Sequence, residues 1–167
     1  AGGHVAACAG VIKGLEAKGE DRKISSVPNA MVLFNPPCVL APVPERKDFL
    51  NPENIAGLRA RMGVPLEQLS PWHHVRKGLP PTLVLHGEAD PTVKFWTSAA
   101  FVKKMKAAGN DAKLAAYPEE LHGFFNYGRR SNKMFIATMR RTDEFLAELG
   151  WLQGQPSIEK FTAAKVR

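Results

Sequence analysis

Pro80-Pro81-Thr82-Leu83-Val84-Leu85-His86-Gly87-Glu88-Ala89-Asp90 is the stretch on which the fold turns. Thr82 to His86, with Leu83-Val84-Leu85 at its centre, starts after two prolines and ends in a sharp polar turn, which predicts a strand. Downstream, Val93 to Ala108 has amphipathic helical spacing and is closed by Gly109-Asn110, and Ala112 to Tyr117 predicts a further strand. Upstream, Ala30-Met31-Val32-Leu33-Phe34 is a short continuous apolar run stopped by Asn35-Pro36-Pro37, which predicts a strand buried on both faces, as in a parallel sheet covered by helices. Strands that alternate with helices predict an α/β fold with parallel strands and right-handed crossovers.

Further elements lie on either side. Residues 3–18 predict a helix, with Val5, Cys8, Ala9, Ile12 and Leu15 as its apolar positions and Gly19 as its stop. Residues 35–51 read as a loop rich in proline. Asn51-Pro52-Glu53-Asn54 reads as the start of a helix running to about Met62, before Gly63. Ser70 to Val75 is irregular and 118–127 is a loop. Lys133 to Leu149 predicts a long helix with Phe135, Met139, Phe145 and Leu149 near one face. The stretch 151–167 is a less patterned tail.

Length and composition bound the function. The 167 residues suit one domain, and 44% hydrophobic with 23% charged residues is a globular balance. Mean hydropathy is −0.22 and no apolar run approaches the roughly 18 residues of a membrane span. The net charge of +7 raises the question of nucleic acid. The cations are scattered, however, as Lys103-Lys104, Lys106, Arg129-Arg130, Arg140-Arg141, Lys160, Lys165 and Arg167. They read as solvated helix faces and no nucleic-acid partner is expected. Cys8 and Cys38 are too few for a disulfide framework and lack metal-ligand spacing, so free thiols and no metal are expected. Nothing in the sequence fixes a compartment.

In parallel α/β sheets, function gathers in the loops at the carboxyl ends of strands. Asp90 follows the strand Thr82–His86, and His122 follows the strand Ala112–Tyr117. Taken singly, Asp90 could cap the next helix or close a turn, and His122 could be a loop histidine paired with Glu119 or Glu120. Taken together, they are an acid and a base on one sheet edge. The carboxylate can fix the imidazole tautomer, and the imidazole can take a proton from a hydroxyl nucleophile. His4 and His86 read as packing residues. Trp72, His73 and His74 line an entrance or are plain loop. Phe124, Phe125 and Tyr127 form an apolar wall or part of the core. Glu119 and Glu120 read as solvated.

The head of the chain, Ala1-Gly2-Gly3-His4, has no initiator Met and no signal-peptide pattern. It resembles the residues after the serine in the α/β-hydrolase nucleophile elbow, Gly-x-Ser-Ala-Gly-Gly-His/Asn, of the esterase/lipase branch related to hormone-sensitive lipase and acetyl esterases. His86-Gly87-Glu88-Ala89-Asp90-Pro91-Thr92-Val93 resembles that branch's acid motif, and Leu121-His122-Gly123-Phe124 its histidine motif. Ser70-Pro71 before the acid strand also fits.

The resemblance implies a partial α/β-hydrolase fold, with residues 1–150 as the carboxyl-terminal part of one domain and 35–75 as a loop and helix insertion near the site. It implies Asp90 as the catalytic acid, His122 as the base, and the Ala1 amide as one oxyanion-hole donor. Gly2 and Gly3 are implied to allow close helix–strand approach. The serine is expected immediately before Ala1, through truncation or processing, and neither Ser98 nor Ser131 replaces it. The activity implied is hydrolysis of small, short-acyl carboxylic esters without a cofactor. This chain alone is expected to be inactive, since the elbow serine and most of the oxyanion hole are absent. The strand near Asn29 is expected to leave an open edge that pairs with a second copy or with the upstream half. A non-catalytic interaction module that retains the fold is the alternative.

Overall fold

In a computed structural model of the protein, residues 1–158 and 160 are described. Three strands, β1 (Met31–Phe34), β2 (Thr82–Gly87) and β3 (Ala112–Tyr117), form a parallel sheet in the order β1-β2-β3. Thr82 lies opposite both Met31 and Ala112, and Gly87 lies opposite Tyr117. The helices are α1 (Gly2–Val11), α2 (Pro52–Met62), α3 (Phe95–Ala107) and α4 (Lys133–Glu148).

Alternation along the strands fills two layers. Leu33 and Val84 face Ala7, Val11, Phe101 and Met105 of α1 and α3. Val32, Phe34, Leu83 and Leu85 face Phe145 and Leu146 of α4. Phe101 and Phe145 are fully buried. Burying each such ring contributes about 1.5–3 kcal/mol, more than the ~1 kcal/mol of a helix cap, so packing rather than capping fixes these helices. Every residue of β2 is buried, the polar Thr82 and His86 along with the central Leu83, Val84 and Leu85.

The long segment between β1 and β2 carries a small core of its own, in which Leu40, Ala41 and Leu66 pack on Ile55, Leu58 and Met62. Its helix, α2, starts as the sequence predicts. The Asn51 side chain accepts the Asn54 N–H at 2.8 Å, Pro52 sits in the first turn, and Gly63 ends the helix at φ 73°.

The first helix departs from expectation. It ends at Val11 rather than running to residue 18, because Ile12 is extended and Gly14 turns left-handed at φ 80°. Of the expected apolar positions, Cys8 and Ile12 are buried, but Val5 is 65% and Leu15 61% exposed, and Ala9 is exposed too. Ala7 and Val11 join Cys8 on the buried face. Close approach is made by Gly3, where a β-carbon would lie 3.0 Å from the Phe34 carbonyl oxygen, and by Gly10, where it would collide with the Met31 side chain. Gly2 faces open space, which corrects its implied role.

The tail expected over 151–167 is partly described, with Trp151 exposed. Residue 159 and residues 161–167, with Lys165 and Arg167, lie outside the described residues. Among the described residues no helix is long and apolar enough to cross a membrane.

Candidate active site

The register of the sheet brings three residues together at its carboxyl edge. The strands run parallel, β2 and β3 end level at Gly87 and Tyr117 while β1 stops at Phe34 opposite Leu85, and the chain after them leads into Asn35, the turn at Asp90 and the loop at His122. Asn35 extends the ladder by one bond, its N–H donating to the Leu85 carbonyl at 2.9 Å. Gly3 packs on Phe34 and Pro36, so the head of α1, with Ala1 at its cap, lies at this same edge.

Asp90 does both things its sequence context allowed. Its Oδ1 closes the turn by accepting the N–H groups of Thr92 and Val93 at 2.8 and 2.9 Å. Its Oδ2 accepts from His122 Nδ1 at 2.7 Å. The pairing of His122 with Glu119 or Glu120 therefore gives way to Asp90. The Asp90 side chain is fully buried, whereas that of His122 is 40% exposed. Burial pushes the Asp90 carboxyl up, but the Val93 N–H, His122 and the Thr92 N–H outweigh it and hold the group below its ordinary value. With a carboxylate at Nδ1, the ring carries its proton there. Nε2 then keeps a lone pair and has no hydrogen-bond partner among the described residues. A base of that form can accept a proton from a hydroxyl placed at the edge of the sheet.

His86 is packed, as expected, but it also borders the site. It is fully buried, and its Nε2–H donates to the Val93 carbonyl at 2.9 Å while lying 3.3 Å from Asp90 Oδ2. Its Nδ1 accepts from the Ser98 hydroxyl at 2.7 Å. Desolvation holds its pKa down, so the ring is neutral and does not compete with His122 for the carboxylate charge. Ser98 is buried in this bond and is no nucleophile.

Asn35 is the residue the sequence reading missed. It is 3% exposed, and its Nδ2–H donates to Asp90 Oδ2 at 2.7 Å. As a residue beside Pro36-Pro37 it reads only as a strand breaker. The one available signal was its place at the carboxyl end of a buried strand.

The remaining candidates play structural parts. His4 Nε2–H donates to the Leu69 carbonyl at 2.6 Å. His73 bonds the Ser70 hydroxyl at 2.9 Å, and His74 bonds the Glu67 carbonyl at 3.0 Å, so both tie down the segment 35–75. Trp72 lines a groove of about 390 Å³ with Trp96 and Lys104, and neither Asp90 nor His122 borders it. Phe124 is buried against Tyr117 and Phe125. Glu120 is not solvated as expected: it is 7% exposed and accepts from Arg130 at 2.7 Å. Both thiols are free and buried, with Cys8 pushed up to about 11 by desolvation, which leaves no nucleophilic thiolate.

A parallel sheet with helices on both faces and an acid–base pair on its carboxyl edge defines part of an α/β-hydrolase. The family profile of the prolyl oligopeptidase family, Peptidase S9, matches residues 59–151, more than half of the chain. The chain belongs to that family. Among solved structures it is similar to esterase 2 of the planctomycete Thermogutta terrifontis. The sarin-phosphonylated form is 43% identical with a TM-score of 0.85, over 92% of this chain and 56% of that one. The propionate-bound form is 43% identical with a TM-score of 0.82, over 93% and 55%. The chain thus spans about half the length of these relatives. No curated protein matches the chain.

Proposed function

We propose that the complete protein hydrolyses small carboxylic esters through an acyl-enzyme, with Asp90 and His122 as two members of a serine–aspartate–histidine triad. The observation that carries this reading is the 2.7 Å bond from His122 Nδ1 to Asp90 Oδ2, made by a buried acid and an accessible base. A serine at the position before Ala1 would stand at the head of α1, beside β1. His122 Nε2 takes the hydroxyl proton as the serine oxygen attacks the ester carbonyl. The resulting oxyanion accepts from the Ala1 N–H and from donors outside this chain. The alcohol leaves with the proton from His122. Water, deprotonated by the same nitrogen, then releases the acid. The propionate- and butyrate-bound forms of the Thermogutta esterase support short acyl groups as substrates. Residues 1–150 make up part of one hydrolase domain, and the segment 35–75 shapes the pocket.

Two outcomes test this. A serine-directed fluorophosphonate probe is expected to leave the 167-residue polypeptide unlabelled. The protein extended upstream through the elbow serine is expected to be labelled stoichiometrically and to hydrolyse p-nitrophenyl propionate. Stoichiometric labelling of the short polypeptide would place the nucleophile elsewhere and overturn the assignment.

The outer edge of β1 has no neighbouring strand among the described residues, and Ile24 and Val27 just before it are exposed. Such an edge is a template for pairing. The 167-residue polypeptide is expected to dimerise through it, read as a dimer mass by light scattering. A monomer at all concentrations would refute the pairing.

A further inference from the structure

Asn35 meets two energetic penalties at one position, and neither serves the packing. Its φ is 43°, a left-handed conformation that costs a non-glycine residue free energy glycine would not lose. Its Oδ1 is buried with no hydrogen-bond partner, a state that native proteins rarely tolerate. Turning the amide over would not help, because the oxygen would then face the Asp90 carboxylate at 2.7 Å. Glycine would fit the backbone without strain and would leave no orphaned acceptor. A side chain kept under both penalties points to a task at the site.

We infer that Asn35 is a positioning residue for the Asp90–His122 pair, its Nδ2–H fixing the carboxylate oxygen on which the His122 proton rests. The surroundings of Asp90 make the need plain. Oδ1 is anchored by two backbone N–H groups of its own turn. Oδ2 is left to His122, which sits on a partly exposed loop, and to Asn35, which sits on the sheet. His86 is farther, at 3.3 Å, and directs its N–H to Val93. Asn35 therefore supplies the short buried bond that is independent of the loop. Its amide nitrogen also lies 3.4 Å from His122 Nδ1, so the two donors converge on one oxygen and fix the angle at which the ring approaches. The backbone bond of Asn35 to Leu85 sets this donor by strand register, which a loop residue could not do as firmly.

This inference rests on the catalytic reading only for its kinetic consequence. The variant that tests it is Asn35→Gly, which deletes the donor and relieves the backbone, with Asn35→Ala as a second variant that keeps the β-carbon. The readout on the 167-residue polypeptide is the pair of ¹⁵N ring resonances of His122, recorded where the ring is neutral. They report which nitrogen carries the proton. The ratio of the Nδ1–H to the Nε2–H form is expected to fall about tenfold in both variants, the worth of one hydrogen bond to a charged group. The melting temperature of Asn35→Gly is expected to stay within a few degrees of the parent. In the upstream-extended protein, kcat should fall about tenfold with KM changed less than twofold. An unchanged tautomer ratio in both variants overturns the inference, even if the extended protein proves to hydrolyse no ester. An altered ratio with an inactive extended protein would sustain the inference and remove the esterase reading instead.

Discussion

Asp90→Asn is expected to lower kcat/KM of the upstream-extended protein on a short-acyl ester by about four orders of magnitude, the scale seen when a triad aspartate is replaced. The reason is a mismatch of donors. The asparagine must keep its oxygen on the Thr92 and Val93 N–H groups, because those bonds at 2.8 and 2.9 Å close the turn. Its NH2 then occupies the place of Oδ2, facing His122 Nδ1 and the Asn35 amide nitrogen. Three donors would meet where one acceptor stood. The imidazole escapes by moving its proton to Nε2, which leaves it unable to accept one from the serine. KM should change little, since Asp90 is buried and does not border the solvent-exposed side of the ring. A loss smaller than tenfold would show that Asp90 is only the closer of its turn.

The same substitution has a second readout in acid. The hydrogen bonds to Asp90 hold its carboxyl below the ordinary value in the folded chain. A depressed folded-state pKa means that its stabilisation is fully present above the unfolded value, near 3.9, and is lost as pH falls through the folded value. Asp90→Asn removes that dependence, so the variant should lose less stability than the parent between neutral pH and pH 3 in denaturant titrations.

The strands were legible because their signals are local. β2 and β3 are bounded by prolines or glycine–asparagine, and the centre of β2, Leu83-Val84-Leu85, is apolar without alternation since both its faces are covered. Asp90 and His122 were legible from their places after these strands. The features that escaped depend on contacts that sequence spacing does not carry. The buried face of α1 is set by Gly3 and Gly10 meeting Phe34 and Met31, so the larger Val5 points away. Glu120 reads as surface charge, but its partner Arg130 reaches it through a turn of three consecutive non-glycine residues with positive φ, Arg130 to Asn132. Asn35 is the clearest instance. A strand breaker and a hydrogen-bond donor to a buried carboxylate are written with the same letter, and only the parallel register of β1 on β2 separates them.

Gly87→Ala is expected to be the most damaging change of a single methyl group. Gly87 needs no left-handed backbone, so the effect is purely steric. A β-carbon there would overlap the Glu120 carbonyl oxygen and lie 2.7 Å from its carbon and 3.2 Å from its Cβ. A backbone carbonyl cannot rotate aside as a side-chain end can. The strand ladder fixes one partner, with Gly87 opposite Tyr117, so the loop after β3 has to move. That breaks the bond from the Ala89 N–H to the Glu120 carbonyl, 3.2 Å, and strains the pairing of the buried Glu120 with the exposed Arg130. The cost belongs at the upper end for overpacking, about 3 kcal/mol, which for a chain of this size lowers the melting temperature by roughly 10 °C. His122 follows Glu120 by two residues, so the displaced loop carries the base away from Asp90, and the ring ¹⁵N resonances should lose the Nδ1–H form as well. Gly57→Ala is the control. It sits inside α2 with nothing within 4 Å of the added carbon, and there alanine is expected to stabilise by about 0.5–1 kcal/mol. Opposite signs at two glycines follow from the Glu120 carbonyl alone; a Gly87→Ala melting temperature within two degrees or so of the parent would mean that the carbonyl does not hold the loop against the strand.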